Sequence, residues 1–216
     1  QFNSKAFVRI LLTAHWDTRP WADNDQNPAN HTKPILGAND GASGVAVLLE
    51  IARQLKAKAP PIGVDIALFD CEDTGRSGEP RSFAVGSQYF VKHLPSGMSP
   101  RFAVNLDMVG DRMLSIPREQ NSDRYAPDVM NLIYDTAREL GVPEFVNGVG
   151  EEIFDDHIPL NEAGIRSVDL IDFNYPDQSN KHWHSLEDTP DKCSPESLEA
   201  VGKVLLQIIY AKQITF

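Results

Sequence analysis

The chain has 216 residues, a length that usually forms one domain with a buried core. Acidic residues outnumber basic ones by 31 to 20, and the net charge of −11 argues against nucleic acid or an anionic membrane as the main partner, because both attract a basic protein face. No apolar run is long enough to span a bilayer, and two cysteines are too few for a disulfide scaffold.

Apolar, β-rich runs alternate along the chain with helical patterns. The run FVRILLTAH at 7–15 predicts a buried strand, and the Asp- and Pro-rich stretch at 16–39 predicts a long loop. Apolar residues then recur at helical spacing within 41–55, which predicts an amphipathic helix. The remaining predicted elements are strands at 64–71, 101–110 and 166–173 and helices at 85–93, 126–140 and 194–211.

Two of the predicted helices carry end signals. Gly141 follows the helix at 126–140 and is a typical C-terminal capping residue. The last helix opens with Ser194 as its cap and Pro195 at its first helical position.

Strands that alternate with helices predict an α/β fold. We expect a single domain over 1–216, with a mixed, mostly parallel central sheet and helices on both of its faces. In such sheets the functional groups collect at the carboxyl ends of the strands, so this edge is where a site is expected.

Asp, Glu and His residues follow the predicted strands at this edge. Carboxylates gathered in one cleft require a cation, because like charges raise each other's pKa. Imidazole and carboxylate ligands without a thiolate favour zinc, with manganese or cobalt as weaker candidates. The candidate residues are His15, Asp17, Asp40, Glu72, Asp73, Asp107, Asp155, Asp156, His157 and His184.

Several further polar residues are better explained as ordinary structure. The segment GANDGASG lacks the lysine of a phosphate-binding loop, and no serine lies in the G-x-S-x-G turn of a serine hydrolase. Loop hydrogen bonding is expected for Asp70, Asp111 and Asp172, and surface or packing roles are expected for His31, His93 and His182.

The motifs at the strand ends resemble a known family. AHWDTRPWAD, GANDGASGVAVLLEIARQL, DCEDTG, NLDMVGD, DDHIPLNEAGI and WHSLEDTPDKCSPESLEAVG occur in the order and spacing typical of the co-catalytic zinc exopeptidases. Within that superfamily, the sequence is most similar to the glutaminyl cyclases of the bacterial, animal-related type. The resemblance extends over about 9–206, nearly the whole chain.

The resemblance implies a set of roles. Asp40, Asp73 and His184 would bind one zinc ion, and Glu72 would transfer protons. In the dinuclear aminopeptidases of the superfamily, a second zinc would be held by His15, Asp40 and Asp107, all of which are present here. Asp17 matches an acid that orients a metal-bound histidine.

Three functions remain open from the sequence. The first is a cyclase, which converts the N-terminal glutamine of a peptide into pyroglutamate with release of ammonia. It is favoured by Trp183 beside His184 and by Asp155, which matches a substrate-binding acid paired with Asp107. The second function is that of a di-zinc aminopeptidase, and the third is that of a non-enzymatic binding module.

One feature of the sequence departs from the cyclase pattern. The loop after Asp73 lacks the tryptophan that cyclases often carry there. The apolar wall of the pocket would then be formed by Trp183, or else by Trp16 and Trp21 if their loop folds inward.

The resemblance also leads to expectations about an N-terminal segment, a cellular location and a partner. Family members carry an N-terminal helix and further strands before the segment that begins here near residue 7, so we expect this segment to be missing. A periplasmic or secreted location is an expectation from the resemblance alone, and the expected partner is a peptide or protein with a free N-terminus.

Overall fold

The structure is a computed structural model that describes residues 1–214. Six strands and six α-helices follow one another within this range. The strands are β1 Arg9–His15, β2 Gly63–Phe69, β3 Ala103–Asp107, β4 Ile116–Arg118, β5 Phe145–Val149 and β6 Ser167–Ile171. The helices are α1 Ala42–Ala57, α2 Val85–Lys92, α3 Gln120–Tyr125, α4 Pro127–Leu140, α5 His157–Glu162 and α6 Pro195–Ala211. None of the helices in this range is long and apolar enough to cross a membrane.

The central sheet has four strands in the order β2-β1-β3-β6, and all its neighbouring strands run parallel. Phe2 adds an isolated antiparallel bridge to Val64 at the β2 edge. A separate pair, β4 and β5, forms a small parallel sheet. The predicted α/β class with a mostly parallel sheet is confirmed.

Apolar side chains cover both faces of the sheet, because successive strand residues point in opposite directions. Leu12 belongs to the main core, which α1, α4 and α6 complete through residues such as Ile51, Ile133 and Leu205. The preceding Leu11 belongs to a second cluster on the other face, with Phe69, Leu160 and Ile165. Parallel strands that are buried on both faces read as continuous apolar runs, which is why β1 was predictable.

The two predicted helix ends are confirmed. Gly141 ends α4 in the left-handed conformation, with φ of 67°, which a glycine adopts without steric cost. Ser194 caps α6, and its side chain accepts a hydrogen bond from the backbone N–H of Ser197.

The differences between prediction and structure lie mainly in short elements. β4, α3, β5 and α5 have three to six residues each and carry no clear periodicity, so the sequence patterns did not indicate them. The predicted strands are also longer than the observed ones. β2 ends at Phe69, so Cys71 lies in the following turn with φ of 57° and is not a strand residue as predicted.

Candidate metal centre

The strand order brings the predicted ligands to one edge of the sheet. His15 is the last residue of β1 and Asp107 the last of β3, while Glu72 and Asp73 follow the end of β2. Because these three strands are neighbours, their carboxyl ends open into the same cleft. Asp40 enters the cleft from the turn before α1, and His184 from the loop after β6; all six side chains are buried.

Two overlapping groups of candidate ligands meet at Asp40. Within Asp40, Asp73 and His184, and likewise within His15, Asp40 and Asp107, the ligand atoms lie within 4.8 Å of one another. Asp40 Oδ1 is 3.2 Å from His15 Nε2, and Asp40 Oδ2 is 3.4 Å from His184 Nε2. The Asp40 carboxylate therefore faces both groups of ligands, with Oδ1 toward His15 and Oδ2 toward His184.

The first group fits a metal ion. His184 Nε2 lies 2.8 Å from Asp73 Oδ1, yet among the described residues it makes no hydrogen bond of good geometry. Asp40 Oδ2 and Asp73 Oδ2 are also buried without a hydrogen-bond partner in this part of the chain. Buried polar atoms are normally satisfied, so converging unsatisfied oxygen and nitrogen atoms are typical of a cation-binding site. Carboxylate and imidazole donors suit zinc.

The imidazoles in the cleft favour their charged forms. Burial by itself would lower the pKa of His184, but the nearby carboxylates of Asp40 and Asp73 raise it to about 9. Burial would likewise lower the pKa of His15, but hydrogen bonds to neighbouring carboxylates, first among them Asp107, raise it well above its ordinary value. The cleft therefore stabilises positive charge at these positions.

Glu72 and Asp107 in the same cleft resist ionisation. Burial raises the pKa of Glu72 well above its ordinary value, and the negative charges of Asp155 and Asp73 add to this effect. Burial also raises the pKa of Asp107 to about 7, against the opposing influence of His15. The cleft holds more acids than its two imidazoles neutralise, a condition that a divalent cation relieves.

Asp17 connects two parts of the cleft. Its carboxylate accepts hydrogen bonds from the backbone N–H groups of Glu72 and Asp73, each at 3.1 Å. Asp17 Oδ1 is also 3.5 Å from His15 Nδ1, the ring nitrogen that faces away from Asp40. This is the position expected of an acid that fixes the orientation of His15.

Three residues around the cleft were not predicted from the sequence. The first is Asp188, which accepts hydrogen bonds from the backbone N–H groups of Asn39 and Asp40 at 2.8 and 3.2 Å, and so fixes the turn that presents Asp40. The signal for Asp188 lies in the motif SLEDTP, which carries the family resemblance as a whole without singling out this residue.

Arg19 and Asp23 are the other two. The buried Arg19 guanidinium donates hydrogen bonds to the backbone oxygens of Asp73 and Gly75, at 2.8 and 2.6 Å, and pairs with Asp23. Asp23 Oδ1 lies 3.7 Å from His184 Nδ1. Both residues belong to the motif AHWDTRPWAD, so the long loop at 16–39 supports the ligands as well as connecting β1 to α1.

Asp155 lies at the end of a buried polar network. Its Oδ2 accepts a hydrogen bond from Asn105 Nδ2 at 2.7 Å, and its Oδ1 accepts one from the backbone N–H of Asp156. Asn105 also donates to Asp169 at 3.1 Å. The negative charge of Asp155 contributes to the raised pKa of Asp107, so the two acids predicted to act together are close enough to interact.

His157 lies deeper in this network, behind the cleft. Its Nε2 is 3.3 Å from Glu119 Oε2, and its Nδ1 is 3.8 Å from Asp169 Oδ2. Another group of potential ligand atoms, formed by Asp155, His157 and Asp169, is fully buried. Asp156 is also fully buried beside Asp155, and burial raises its pKa well above its ordinary value.

The residues expected to be structural do bond locally. Asp70, Asp111 and Asp172 accept hydrogen bonds from backbone N–H groups of nearby loops. The nitrogens of His31 and His93 contact backbone oxygens at 2.7 and 2.8 Å. None of these five residues lines the cleft in the described part of the chain.

A cavity of about 320 Å³ opens over the candidate ligands. Its floor contains Glu72, Asp107 and Asp155, and its walls are the apolar side chains Phe83, Ile153, Phe154, Ile171, Phe173 and Trp183. Trp183 stacks on the ring of His184, with centroids 3.8 Å apart, and meets the edge of Phe173 at 5.1 Å. Trp16 and Trp21 lie outside the described lining, so the wall forms from Trp183 and not from these two.

The chain matches known proteins over most of its length. Residues 2–209 match peptidase family M28. The structure is similar to the crystal structure of a glutaminyl cyclase from Bacteroides thetaiotaomicron bound to N-acetylhistamine, with a TM-score of 0.93 and 38% identity over 98% of this chain and 76% of that one. It is also similar to a Zn-dependent exopeptidase from Parabacteroides distasonis, with a TM-score of 0.91 and 36% identity over 98% of this chain and 76% of that one.

A further relative is an aminopeptidase. Aminopeptidase YwaD from Bacillus subtilis is 28% identical over 93% of this chain, and the chain spans 40% of the length of that protein.

Proposed function

The chain belongs to peptidase family M28, and on this basis we propose that it is a zinc-dependent glutaminyl cyclase. Such an enzyme converts the N-terminal glutamine of a peptide into pyroglutamate and releases ammonia. The observation that carries the proposal is the small cavity in which Glu72, Asp155 and Trp183 converge on Asp40, Asp73 and His184. The similarity at 38% identity to a bacterial glutaminyl cyclase supports the same choice.

Asp40, Asp73 and His184 would hold the zinc ion. When bound, zinc supplies Lewis-acid chemistry that polarises the γ-carboxamide carbonyl of the substrate glutamine. Asp188 and Arg19 keep the backbone of Asp40 and Asp73 in place, so two of the ligands are oriented before any ion binds.

Glu72 would transfer the protons of the reaction. The α-amino nitrogen of the substrate forms a bond to the γ-carbonyl carbon, and Glu72 accepts the proton that this nitrogen loses. The bond between that carbon and the amide nitrogen then breaks, and Glu72 returns the proton so that ammonia leaves. Glu72 is buried within the same cavity as the candidate ligands, which is where such a group must lie.

The other residues of the cavity would position the substrate. Asp155, with Asp107 beside it, would hold the departing amide nitrogen by accepting hydrogen bonds from it. The Trp183 ring would confine the glutamine side chain in the folded shape that precedes ring closure. Because both reacting groups belong to one residue, positioning alone lowers the barrier by several kcal/mol.

The second candidate function is a di-zinc aminopeptidase. It is favoured by the completeness of the group formed by His15, Asp40 and Asp107 and by the way Asp40 faces both groups. In that reaction Glu72 would accept a proton from an attacking water, and a free amino acid would be released.

Product analysis together with a metal count separates the two functions. We expect ammonia release from a glutamine-initiated peptide, no amino acid release from leucine amide, and one zinc per chain. Two zinc ions with free amino acid release would establish the aminopeptidase instead. Turnover of neither substrate, with no effect of a chelator, would favour a binding module.

Glu72→Gln tests the proton-transfer role separately. We expect this variant to keep its zinc and to lose about a hundredfold or more in kcat, the usual contribution of a positioned acid–base group. Full activity of the variant would contradict the role assigned to Glu72.

A further inference from the structure

A second cavity adjoins the catalytic one. Its volume is about 400 Å³, and it shares Glu151, Ile153, Ile171 and Phe173 with the lining of the catalytic cavity. A peptide whose first residue occupies the catalytic cavity must continue outward past its rim. Because the two cavities share these four lining residues, the second cavity is the adjoining candidate for the next residue of the substrate.

The second cavity combines apolar walls with polar ends. Pro117, Val149, Ile153 and Phe173 supply apolar surface, while Ser115, Asn174 and Gln178 add polar groups. Glu119 also lines it, but its carboxylate is occupied by the backbone N–H groups of Asn121, Ser122 and Ile153. This lining suits a long side chain with an aliphatic stem and a polar tip.

Glu151 is the charged group at the boundary between the cavities. It is exposed, and its carboxylate has no hydrogen-bond or ion-pair partner within residues 1–214. The neighbouring Glu152, by contrast, lies 3.3 Å from Arg124. No lysine or arginine lines either cavity in the described part of the chain.

We propose that the second cavity binds the side chain of the residue that follows the N-terminal glutamine, and that Glu151 selects a lysine or arginine at this position. The inference rests on the proposed cyclase function and names its substrate class. The aliphatic stem of the basic residue packs on Ile153, Phe173 and the other apolar walls, while its cation pairs with Glu151.

Matched peptides test the proposal. Ammonia release is measured with zinc-loaded enzyme on peptides that differ only in the second residue, which is lysine, methionine or glutamate. We expect kcat/KM to be about tenfold higher for lysine than for glutamate at low salt, with methionine between them, and the ratio to shrink at high salt.

Variants of Glu151 identify the source of the preference. Glu151→Gln should reduce the lysine-to-glutamate ratio by about three- to fivefold, the upper range for one exposed charge pair. Glu151→Lys should invert the preference. Glu196→Gln removes the same charge at an exposed position at the start of α6, outside both cavities, and should leave the ratio unchanged.

Each outcome bears on a different proposal. Cyclisation of all three peptides at equal rates, or a ratio that is the same in the wild type and in both Glu151 variants, would overturn the role of Glu151 while leaving the cyclase function intact. Absence of ammonia release from every glutamine-initiated peptide would instead refute the proposed function, and the inference would fall with it.

Discussion

At the scale of single residues, Asp40 organises the cleft. Its two oxygens face His15 and His184 at 3.2 and 3.4 Å, and its backbone N–H is held by Asp188. Burial opposes ionisation of this carboxyl, but the nearby imidazoles of His15 and His184 outweigh that effect and hold its pKa well below the ordinary range. Asp40 is therefore a carboxylate at neutral pH, as a metal ligand must be.

Trp183 is expected to position the substrate and to have no part in metal binding. Trp183→Ala removes the wall that stacks on His184 and faces the cavity, so substrate positioning suffers while the ligand atoms stay in place. We expect kcat/KM on a glutamine peptide to fall about ten- to hundredfold with unchanged zinc content. The measurements are ammonia release and metal analysis.

The control for this variant is Trp16→Ala. Trp16 is 59% exposed and lies outside the described cavity lining, so its loss should change neither activity nor zinc content. Loss of zinc from Trp183→Ala would contradict the assignment of Trp183 to the substrate.

Glu119 makes folding stability depend on pH. Burial alone would raise its pKa, but the adjacent His157 ring and hydrogen bonds from Ser122 and Ile153 lower it to about 2. A lowered folded-state pKa means that the ionised group stabilises the fold above its ordinary pKa of about 4.5, and that this contribution disappears as pH falls toward 2. The shift corresponds to about 3 kcal/mol at neutral pH.

Glu119→Gln should therefore unfold more easily at pH 7, by about 2–3 kcal/mol, with a deficit that narrows as pH falls from 5 to 3. Urea unfolding at a series of pH values measures this difference, and Glu196→Gln serves as an exposed control. If the loss in the free energy of unfolding stays constant over this pH range, ionisation of Glu119 is not the source of the pH-dependent stability.

At the scale of elements, the close packing of α1 on the sheet presents Asp40 and its turn to the cleft. Gly44 lies in the first turns of α1, and a Cβ at this position would sit 2.2 Å from the backbone oxygen of Leu106 in β3. Only a residue without a side chain allows the helix to approach β3 this closely.

Gly44→Ala should therefore destabilise the protein, although alanine is the better helix former. We expect a loss of about 1–3 kcal/mol in the free energy of unfolding, because the displaced helix cannot repack without strain. The measurement is urea unfolding followed by circular dichroism.

Gly202→Ala is the matched comparison within α6. A Cβ there would lie 4.0 Å from Val47 Cγ1, which is ordinary van der Waals contact. This variant should gain about 0.5–1 kcal/mol. Equal effects of the two substitutions would contradict the close approach of α1 to β3.

At the scale of the whole molecule, the candidate metal centre explains part of the excess of acidic over basic residues. The net charge of −11 includes the carboxylates of Asp40, Glu72, Asp73, Asp107 and Asp155, all of which are buried at one edge of the sheet. Without a cation, the negative charges of these five carboxylates would repel one another. The stability of the folded chain should therefore depend on metal binding.

Chelation tests this dependence on the intact chain. We expect EDTA to lower Tm by about 5–10 °C and added zinc to restore it, because a ligand bound only by the folded state stabilises that state. Magnesium should not restore it, since zinc prefers these nitrogen and oxygen donors. An unchanged Tm, with zinc absent by metal analysis, would contradict a zinc site in this cleft.

The fold class could be predicted from the amino-acid sequence, because the periods of apolar residues in strands and helices are local properties that exist without tertiary contacts. The same patterns placed His15 and Asp107 at strand ends, and the motifs around them led to the family. Short elements such as β4 and α3 could not be predicted, since their conformations depend on contacts with distant segments.

Which acids meet in the cleft depends on the packing of the elements and could be seen only in three dimensions. The order β2-β1-β3 sets Glu72, His15 and Asp107 side by side, and two loops far apart in the chain bring Asp40 and His184 to them. The supporting contacts of Asp188 and Arg19, and the place of Glu151 between two cavities, are likewise encoded in no local pattern. Local patterns determine the element in which a side chain lies, whereas the packing of the elements determines its neighbours and hence its chemistry.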